Sequence, residues 1–286
     1  MRRAPFFLGA ILAGVIVMGS ASASASHAEA ARQIRIDGVT IASDVRPELR
    51  NNRIMVPLRV ISENFGAEVA WSTSKVTIVK GQTKLTLKLN SSAAVKNGEA
   101  VQLDVKPYLK NNRVLVPIRF IAETFGCQVS YSNDTVSIES APLAIDQVEI
   151  TTLQHEYHMT MGGVVQQIKA STYHEAFYRI FSENKGIRVD APAKYSWHFQ
   201  YLESGSYYKG GQFDFLNGNG DIVRQFDIYS LVKFGEDLPD SPEVLLYDGI
   251  ENQWHLFSEA GRDMINQALS RAEANGFLTI IENTVP

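Results

Sequence analysis

The chain has 286 residues, of which 45% are hydrophobic and 20% are charged, and its formal net charge is -4. This length exceeds one average domain, so we expect two folded domains after a targeting segment. The mild acidity and the scattered Lys and Arg, which form no basic run, exclude a typical nucleic-acid-binding protein, and the single cysteine, Cys127, excludes an internal disulfide.

The N-terminus carries Arg2 and Arg3, an apolar run over residues 6–18, and small residues with Ala-x-Ala patterns up to residue 30. This order predicts a secretory signal peptide over residues 1–30. The alternative is an uncleaved membrane anchor, for which the apolar run is short. We therefore expect an exported protein, secreted or associated with the cell envelope, that keeps no transmembrane segment after signal cleavage.

A repeat occupies the next part of the chain, because residues 51–59 (NNRIMVPLR) return as residues 111–119 (NNRVLVPIR). The alignment holds without gaps and predicts two repeats, 34–78 and 94–138, inside a first domain at residues 31–140.

Each repeat predicts the same order of elements. An Asx-Gly step, at residues 37–38 and 97–98, predicts a hairpin turn. An apolar run that ends in proline predicts a buried strand, and the proline suits the first residue of a short helix. A glycine then ends the helix, and two alternating runs predict a second hairpin.

The residues at equivalent positions of the two repeats form a motif. In the first repeat they are Asn52, Arg53, Val56, Pro57, Arg59, Glu63, Phe65, Gly66 and Trp71. In the second they are Asn112, Arg113, Val116, Pro117, Arg119, Glu123, Phe125, Gly126 and Tyr131. This motif resembles the copper amine oxidase-like N-terminal domain, a small α+β module of many secreted bacterial proteins, over about residues 34–140. The resemblance implies an accessory stalk outside a catalytic core, and it implies neither copper nor oxidation.

The chain lacks the residues that amine oxidase chemistry requires. It contains no Asn-Tyr pair that could yield the quinone cofactor and no His-x-His pair that could bind copper. The sequence therefore predicts no amine oxidase activity. It also contains no Gly-x-Ser-x-Gly, no phosphate-binding loop and no His-Glu-x-x-His, so we expect no catalytic residue, no metal site and no cofactor.

Several patterns allow two interpretations. His155 and His158 have a spacing that could chelate zinc on a helix, but the segment is typical of a strand, which would place them on opposite faces. Arg59 precedes Glu63 by four residues, as Arg119 precedes Glu123, and these pairs fit a structural role better than ligand binding. Cys127 fits a small buried residue better than a nucleophile. Residues 217–221 (NGNGD) resemble a calcium loop, but a hairpin turn explains them better.

Residues 145–286 predict a second α+β domain, of no family that we recognise, with an antiparallel, aromatic-rich meander. Thr172 and Glu175 predict a capping box at the start of a helix that ends near Gly186. Alternating residues over 195–201 predict one strand of the meander, and strands over 213–215, 222–232, 244–247 and 254–257 follow. A closing helix before Gly276 and a last strand complete the domain.

The aromatic side chains of the meander suggest a candidate ligand platform formed by Trp197, Tyr201 and Tyr207. The alternative is that the two amphipathic helices cover this face as part of a core, which is the more common arrangement.

Three functional classes follow. The first is a secreted, non-catalytic protein whose N-terminal stalk binds the cell envelope, through a cell-wall polymer or another envelope protein, and presents the C-terminal domain. The second is a secreted hydrolase of an envelope polymer with its site in residues 145–286, where Glu203, Asp214, Asp227 and Asp248 are acidic candidates. The third is a sensor that binds a ligand or protein on the aromatic meander.

Overall fold

The computed structural model describes residues 33–132, 134–235 and 238–286. The predicted signal peptide, residues 1–30, lies outside the described residues.

The N-terminal half, which we call the module, contains thirteen strands and two short helices within its described residues. Its elements are β1 (Gln33–Ile36), β2 (Val39–Thr40), β3 (Glu48–Arg50), β4 (Arg53–Pro57), α1 (Leu58–Asn64), β5 (Glu68–Ser72), β6 (Lys75–Lys80), β7 (Thr83–Lys88), β8 (Ala93–Lys96), β9 (Glu99–Gln102), β10 (Tyr108–Lys110), β11 (Arg113–Pro117), α2 (Ile118–Thr124), β12 (Gln128–Ser132) and β13 (Thr135–Glu139).

Three sheets build the module. The first has the order β10-β11-β4-β3, and β4 pairs with β11 in antiparallel register so that Val56 lies opposite Val116. The other two sheets have the orders β12-β13-β1-β2 and β5-β6-β7-β8-β9. The buried strands β4 and β11 thus join the segments 34–78 and 94–138, because each segment supplies one of them.

Local sequence signals explain the turns and helix ends. Asp37 and Asn97 adopt positive φ angles of 46° and 50° in two-residue hairpin turns, as Asx-Gly steps favour. Gly66 ends α1 at φ 69°, while the Ala67 amide donates to the Ser62 carbonyl, and the second repeat ends its helix in the same way. The prolines, in contrast, are the residues just before each helix and are not its first residues, so the predicted helix start is wrong by one residue.

The described part of the C-terminal half contains eleven strands, two long helices and one 3-10 helix. Its elements are β14 (Ala144–Ile145), β15 (Val148–Glu149), β16 (Thr152–Met159), β17 (Gly162–Ile168), α3 (Ser171–Asn184), β18 (Lys185–Val189), β19 (Tyr195–Ser196), a 3-10 helix (Phe199–Tyr201), β20 (Tyr207–Leu216), β21 (Ile222–Leu231), β22 (Val244–Asp248), β23 (Gln253–Phe257), α4 (Glu259–Ala274) and β24 (Leu278–Asn283).

One large sheet dominates this half, with the order β18-β23-β22-β21-β20-β16-β17-β24, and β19 pairs with β20 at its side. The molecule is therefore a mixed, strand-rich protein with several antiparallel sheets, which is compatible with the predicted α+β class. Strands β20 to β23 are consecutive antiparallel neighbours. Helices α3 and α4 contact each other, and Phe177 and Phe181 of α3 pack on Phe213 of the sheet.

The predicted strand over residues 195–201 is wrong. Only β19 is extended, and the 3-10 helix follows it. The aromatic rings of this segment pack across the sheet face opposite to α3, where Tyr195 contacts Tyr229 and Trp254. Alternating polarity arises here because the segment covers a sheet, and not because it is a strand within one.

Helix α3 binds the two halves together. Asp37 of the module accepts hydrogen bonds from the Thr172 amide and hydroxyl at 3.3 and 3.4 Å. Glu175 pairs with Lys80 of the module at 2.7 Å. The predicted capping box is therefore wrong, because both of its residues bond to the module and the helix has no side-chain cap of its own. One cluster of buried apolar residues extends through both halves.

Candidate functional site

The motif residues of the module fall into buried and exposed sets. Val56, Val116 and Phe65 are buried, and Phe65 meets Phe125 edge to face with ring centroids 6.3 Å apart. These residues hold the two segments of the module together. Trp71 is 45% exposed and therefore does not take part in that core.

The Asn-Asn-Arg steps combine turn geometry with ion pairing. Asn52 and Asn112 have φ angles of 58° and 59°, which asparagine tolerates better than most residues. Arg53 pairs with Asp104 at 2.7 Å, and Arg113 pairs with Asp44 at 2.6 Å. Each arginine thus contacts an aspartate from the other repeat.

The helix arginines lie beside acidic residues of their own helices. Arg59 is 3.7 Å from Glu63, and Arg119 is 3.9 Å from Glu123. The Arg119 guanidinium also lies over the Tyr131 ring, 5.1 Å from its centroid. Exposed pairs at such distances stabilise a fold by less than about 1 kcal/mol.

The three residues of the predicted platform do not form one surface. Tyr207 is 5% exposed and packs with Tyr229 and Trp254, whereas Tyr201 is 65% exposed. Trp197 stacks on His158 at 4.3 Å, and the Lys209 ammonium lies 4.3 Å from its ring centroid. Trp197 therefore packs against side chains of the protein itself.

The two neighbouring histidines lie on opposite faces of β16, as the strand interpretation predicts. His155 stacks on Phe213 on the face that the helices cover, whereas His158 accompanies Trp197 on the other face. The strand interpretation goes with the expectation that both histidines are exposed at the surface, and this expectation is wrong for His155, which is only 6% exposed. Among the described residues, no group of three His, Cys, Asp or Glu side chains could hold a metal ion.

Two further predictions from the sequence are settled by local contacts. Cys127 is buried, and burial raises the pKa of its thiol, which suits an unreactive packing role. Asn217 accepts hydrogen bonds from the amides of Asn219 and Asp221 at 2.9 Å, so residues 217–221 form a hairpin turn.

A groove between α4 and the large sheet is the best candidate site. This groove, the α4 groove, has a volume of about 430 Å³ and is lined by Arg262, Ile265 and Leu269 of α4 and by His155, Tyr157 and Tyr208 of the sheet. A mostly apolar wall with a few polar groups is typical of ligand sites. The bulge at Gly210 and Gly211 makes room in its floor, since a Cβ on Gly211 would lie 2.7 Å from His155 Nε2.

His155 supplies a polar group at the floor of the α4 groove. Gln166 Nε2 and His155 Nδ1 are 2.8 Å apart. With the Gln166 amide as donor, the ring proton sits on Nε2, which has no hydrogen-bond partner in the described part of the chain. Burial lowers the pKa of His155 to about 3, so the ring is neutral at physiological pH. His155 can therefore donate a hydrogen bond to a ligand, but it is too weak a base for general base catalysis.

The acidic candidates do not line the α4 groove. Asp227 pairs with the buried Lys209 at 2.6 Å, and Gln212 donates to Asp214 at 2.9 Å. Both carboxylates lie on the sheet face opposite to the helices, where burial raises their pKa values. Asp248 is held by Lys185, and Glu203 pairs with Lys194 at the surface. Sequence reasoning missed the Lys209–Asp227 pair because its register depends on the bulge at Gly210.

No helix among the described residues is both long enough and apolar enough to cross a membrane.

Comparison with known proteins confirms the resemblance of the module. The family model described as the copper amine oxidase N-terminal domain matches residues 35–140. The chain is also 24% identical over 160 residues to a "Protease inhibitor" from Brevibacillus choshinensis, an alignment that covers 55% of this chain and 49% of the relative. The chain thus spans about half the length of this curated relative. Neither likeness identifies a catalytic family.

Proposed function

We propose that this protein is an exported, non-catalytic envelope protein. Residues 1–30 direct export, residues 31–140 act as an envelope-binding stalk, and residues 145–286 form the binding domain that the stalk presents. The stalk is a duplicated strand–helix–hairpin module, an interpretation supported by equivalent elements such as β4–α1 and β11–α2. The family model that matches residues 35–140 supports the stalk role, because resemblance to this N-terminal domain implies an accessory element outside a catalytic core.

The main support for a binding role is the α4 groove. This groove combines an apolar cavity with the neutral His155 imidazole, which is more than nine-tenths buried and whose Nε2 has no hydrogen-bond partner among the described residues. The groove therefore suits a ligand with an apolar body and one hydrogen-bond acceptor, such as a carbonyl oxygen. The acidic candidates for a hydrolase are engaged elsewhere, and none of them meets another carboxylate in this groove.

Cosedimentation of residues 31–286 with purified cell-wall sacculi tests the stalk role. The protein should pellet with sacculi and stay in solution without them, and an unrelated exported protein of similar charge should not pellet. Equal recovery of both proteins in the supernatant would refute envelope binding.

A second candidate function is inhibition of a protease, which the likeness to the Brevibacillus choshinensis protein favours. The test is the residual activity of serine, cysteine and metalloproteases after incubation with an excess of residues 31–286. Inhibition that becomes complete at a fixed molar ratio of this protein to one protease would support this function. Unchanged activity of all three protease classes would reject it.

A further inference from the structure

The module carries two equivalent surface grooves. Groove 1 is lined by Arg59 and Trp71 of the first repeat and by Leu109, Asn112 and Arg113 of the second. Asp44 and Glu63 also line it, and they pair with Arg113 and Arg59. Groove 2 is lined by the residues sixty positions away, namely Arg119, Tyr131, Leu49, Asn52 and Arg53. Each groove therefore combines a helix arginine and a hairpin aromatic of one repeat with the Asn-Arg turn and a leucine of the other.

The leucine and the aromatic residue that the two grooves share are exposed, so core packing does not explain why both repeats have them. Leu49 and Leu109 are 51% and 58% exposed, and Trp71 and Tyr131 are each 45% exposed. Single exposed apolar residues are ordinary, but the same apolar and cationic set at two equivalent grooves indicates a shared binding role. Groove 2 is the smaller, about 280 Å³ against 700 Å³, and in it the Arg119 guanidinium lies over the ring of Tyr131.

Charge is distributed unequally along the chain. Residues 33–140 contain 14 Lys and Arg against 10 Asp and Glu, whereas residues 141–286 contain 10 against 20. The module is thus basic and the C-terminal half strongly acidic, although the whole chain has a formal charge of only -4. A polyanion would be attracted to the module and repelled by the other half.

Arginine is the residue best suited to hold a phosphate, because its planar guanidinium offers several parallel donors. Arg53 and Arg113 are each oriented by one aspartate, while their side chains remain 39% and 43% exposed. Each guanidinium also donates from Nη1 to the carbonyl of the preceding asparagine, at 3.2 Å for Arg53 and 3.3 Å for Arg113. The fold therefore fixes the orientation of both guanidinium groups, and a phosphate would bind at their exposed edges. The neighbouring aromatic ring and leucine offer apolar contact for the carbon skeleton between two phosphates.

We infer that the two grooves bind successive segments of one polyanionic wall polymer that carries a phosphate in each repeating unit. This inference rests on the proposed function, since it names the class of polymer that the stalk binds. A repeated ligand suits a repeated site, because once one groove is occupied the other binds the same chain at a high effective concentration.

The test is calorimetric titration of residues 31–286 with poly(glycerol phosphate). The double variants Arg59→Ala with Trp71→Ala, and Arg119→Ala with Tyr131→Ala, each disable one groove, and urea unfolding checks that they remain folded. Lys84→Ala is the matched control, because it removes one exposed positive charge of the module outside both grooves. Each double variant should weaken polymer binding about tenfold to a hundredfold through lost avidity. The control should change binding less than about twofold, and binding should weaken as salt rises.

Several outcomes would overturn the inference. These are equal affinities of the wild type and both double variants, equally tight binding of neutral dextran, and tighter binding of a single-stranded oligonucleotide than of poly(glycerol phosphate). Concentration-dependent self-association that the double variants abolish would also overturn it, by assigning the grooves to a second copy. Cosedimentation with sacculi stripped of phosphate polymers distinguishes a failure of this inference from a failure of the proposed function. If wild type pellets equally with stripped and intact sacculi, the stalk binds the envelope but this inference is wrong.

Discussion

Asp37 is the residue whose substitution best tests the join between the module and α3. Its side chain accepts a hydrogen bond from the Ser140 amide at 2.8 Å and two from Thr172 at 3.3 and 3.4 Å. Its backbone has a φ of 46°. Asp37→Ala therefore removes three acceptor contacts and places alanine in a left-handed conformation.

The expected loss of stability can be assembled from these terms. The left-handed alanine costs about 1 kcal/mol. The lost contact at the first turn of α3 costs about 1 kcal/mol, as for other helix caps. The Ser140 amide, left without its acceptor, costs about 1–2 kcal/mol. We expect Asp37→Ala to lower the free energy of unfolding by about 3–4 kcal/mol.

Asn97 provides the matched control, since it occupies the equivalent hairpin turn with a φ of 50°. Its side chain accepts one exposed hydrogen bond, from the Lys84 amide at 2.7 Å, and α3 makes no hydrogen bond to it within the described chain. Asn97→Ala should therefore cost only about 1–2 kcal/mol. Asp37→Asn, which tolerates the same backbone and keeps one acceptor oxygen, should fall between wild type and Asp37→Ala.

Urea unfolding of the three variants measures these differences, provided that the slope of the unfolding free energy against urea concentration is the same as for the wild type. Equal losses for Asp37→Ala and Asn97→Ala would refute the reasoning, because they would show that the contacts to Ser140 and Thr172 contribute nothing beyond the turn itself.

Three further predictions, each with its own variants, test the C-terminal half by urea unfolding. Gly211→Ala should cost about 1–3 kcal/mol because its Cβ would lie 2.7 Å from His155 Nε2, whereas Gly210→Ala, whose Cβ has 3.8 Å of clearance, should be nearly neutral; equal losses would contradict the crowding argument. Lys209→Met should cost about 3–5 kcal/mol by leaving the buried Asp227 charge uncompensated, and adding Asp227→Leu should recover much of that loss; no recovery would show that the pair itself stabilises the fold. Burial raises the pKa of Asp214, so the native state binds its proton more tightly than the unfolded state and stability falls as pH rises from about 3.8 through the folded pKa. Asp214→Asn should flatten this fall and unfold at higher urea near neutral pH, and an unchanged pH profile would exclude Asp214 as its source.

Local signals allowed much of the fold to be predicted from the sequence. The Asx-Gly turns, the stop glycines and the closing helix α4 depend on residues within one turn of each other. The predicted stop at Gly276 is observed, with the Phe277 amide donating to the Ala272 carbonyl at 2.8 Å. Such features can be predicted from the sequence because the residues that cause them lie within a short stretch of the chain.

The contacts that define the candidate sites join distant residues, so no short window reveals them. Thr172 bonds to a residue 135 positions earlier, which displaces the local capping box. The α4 groove depends on a bulge at Gly210 that shifts the register of β20 by one residue. The arginines of grooves 1 and 2 look scattered in sequence, yet strand pairing between the repeats brings each helix arginine to the same groove as a turn arginine from the other repeat.

The interface at α3 also bears on how a stalk could work in this chain. A stalk on a free linker would leave its displayed domain able to rotate, whereas here Asp37 and Lys80 of the module hold both ends of the first turn of α3. The connecting segment is tied as well, because Asp146 between β14 and β15 pairs with Arg224 of β21 at 3.2 Å. Since α3 packs directly on the sheet that forms the floor of the α4 groove, attachment of the module to a polymer would fix the position of that groove as well as its distance from the envelope.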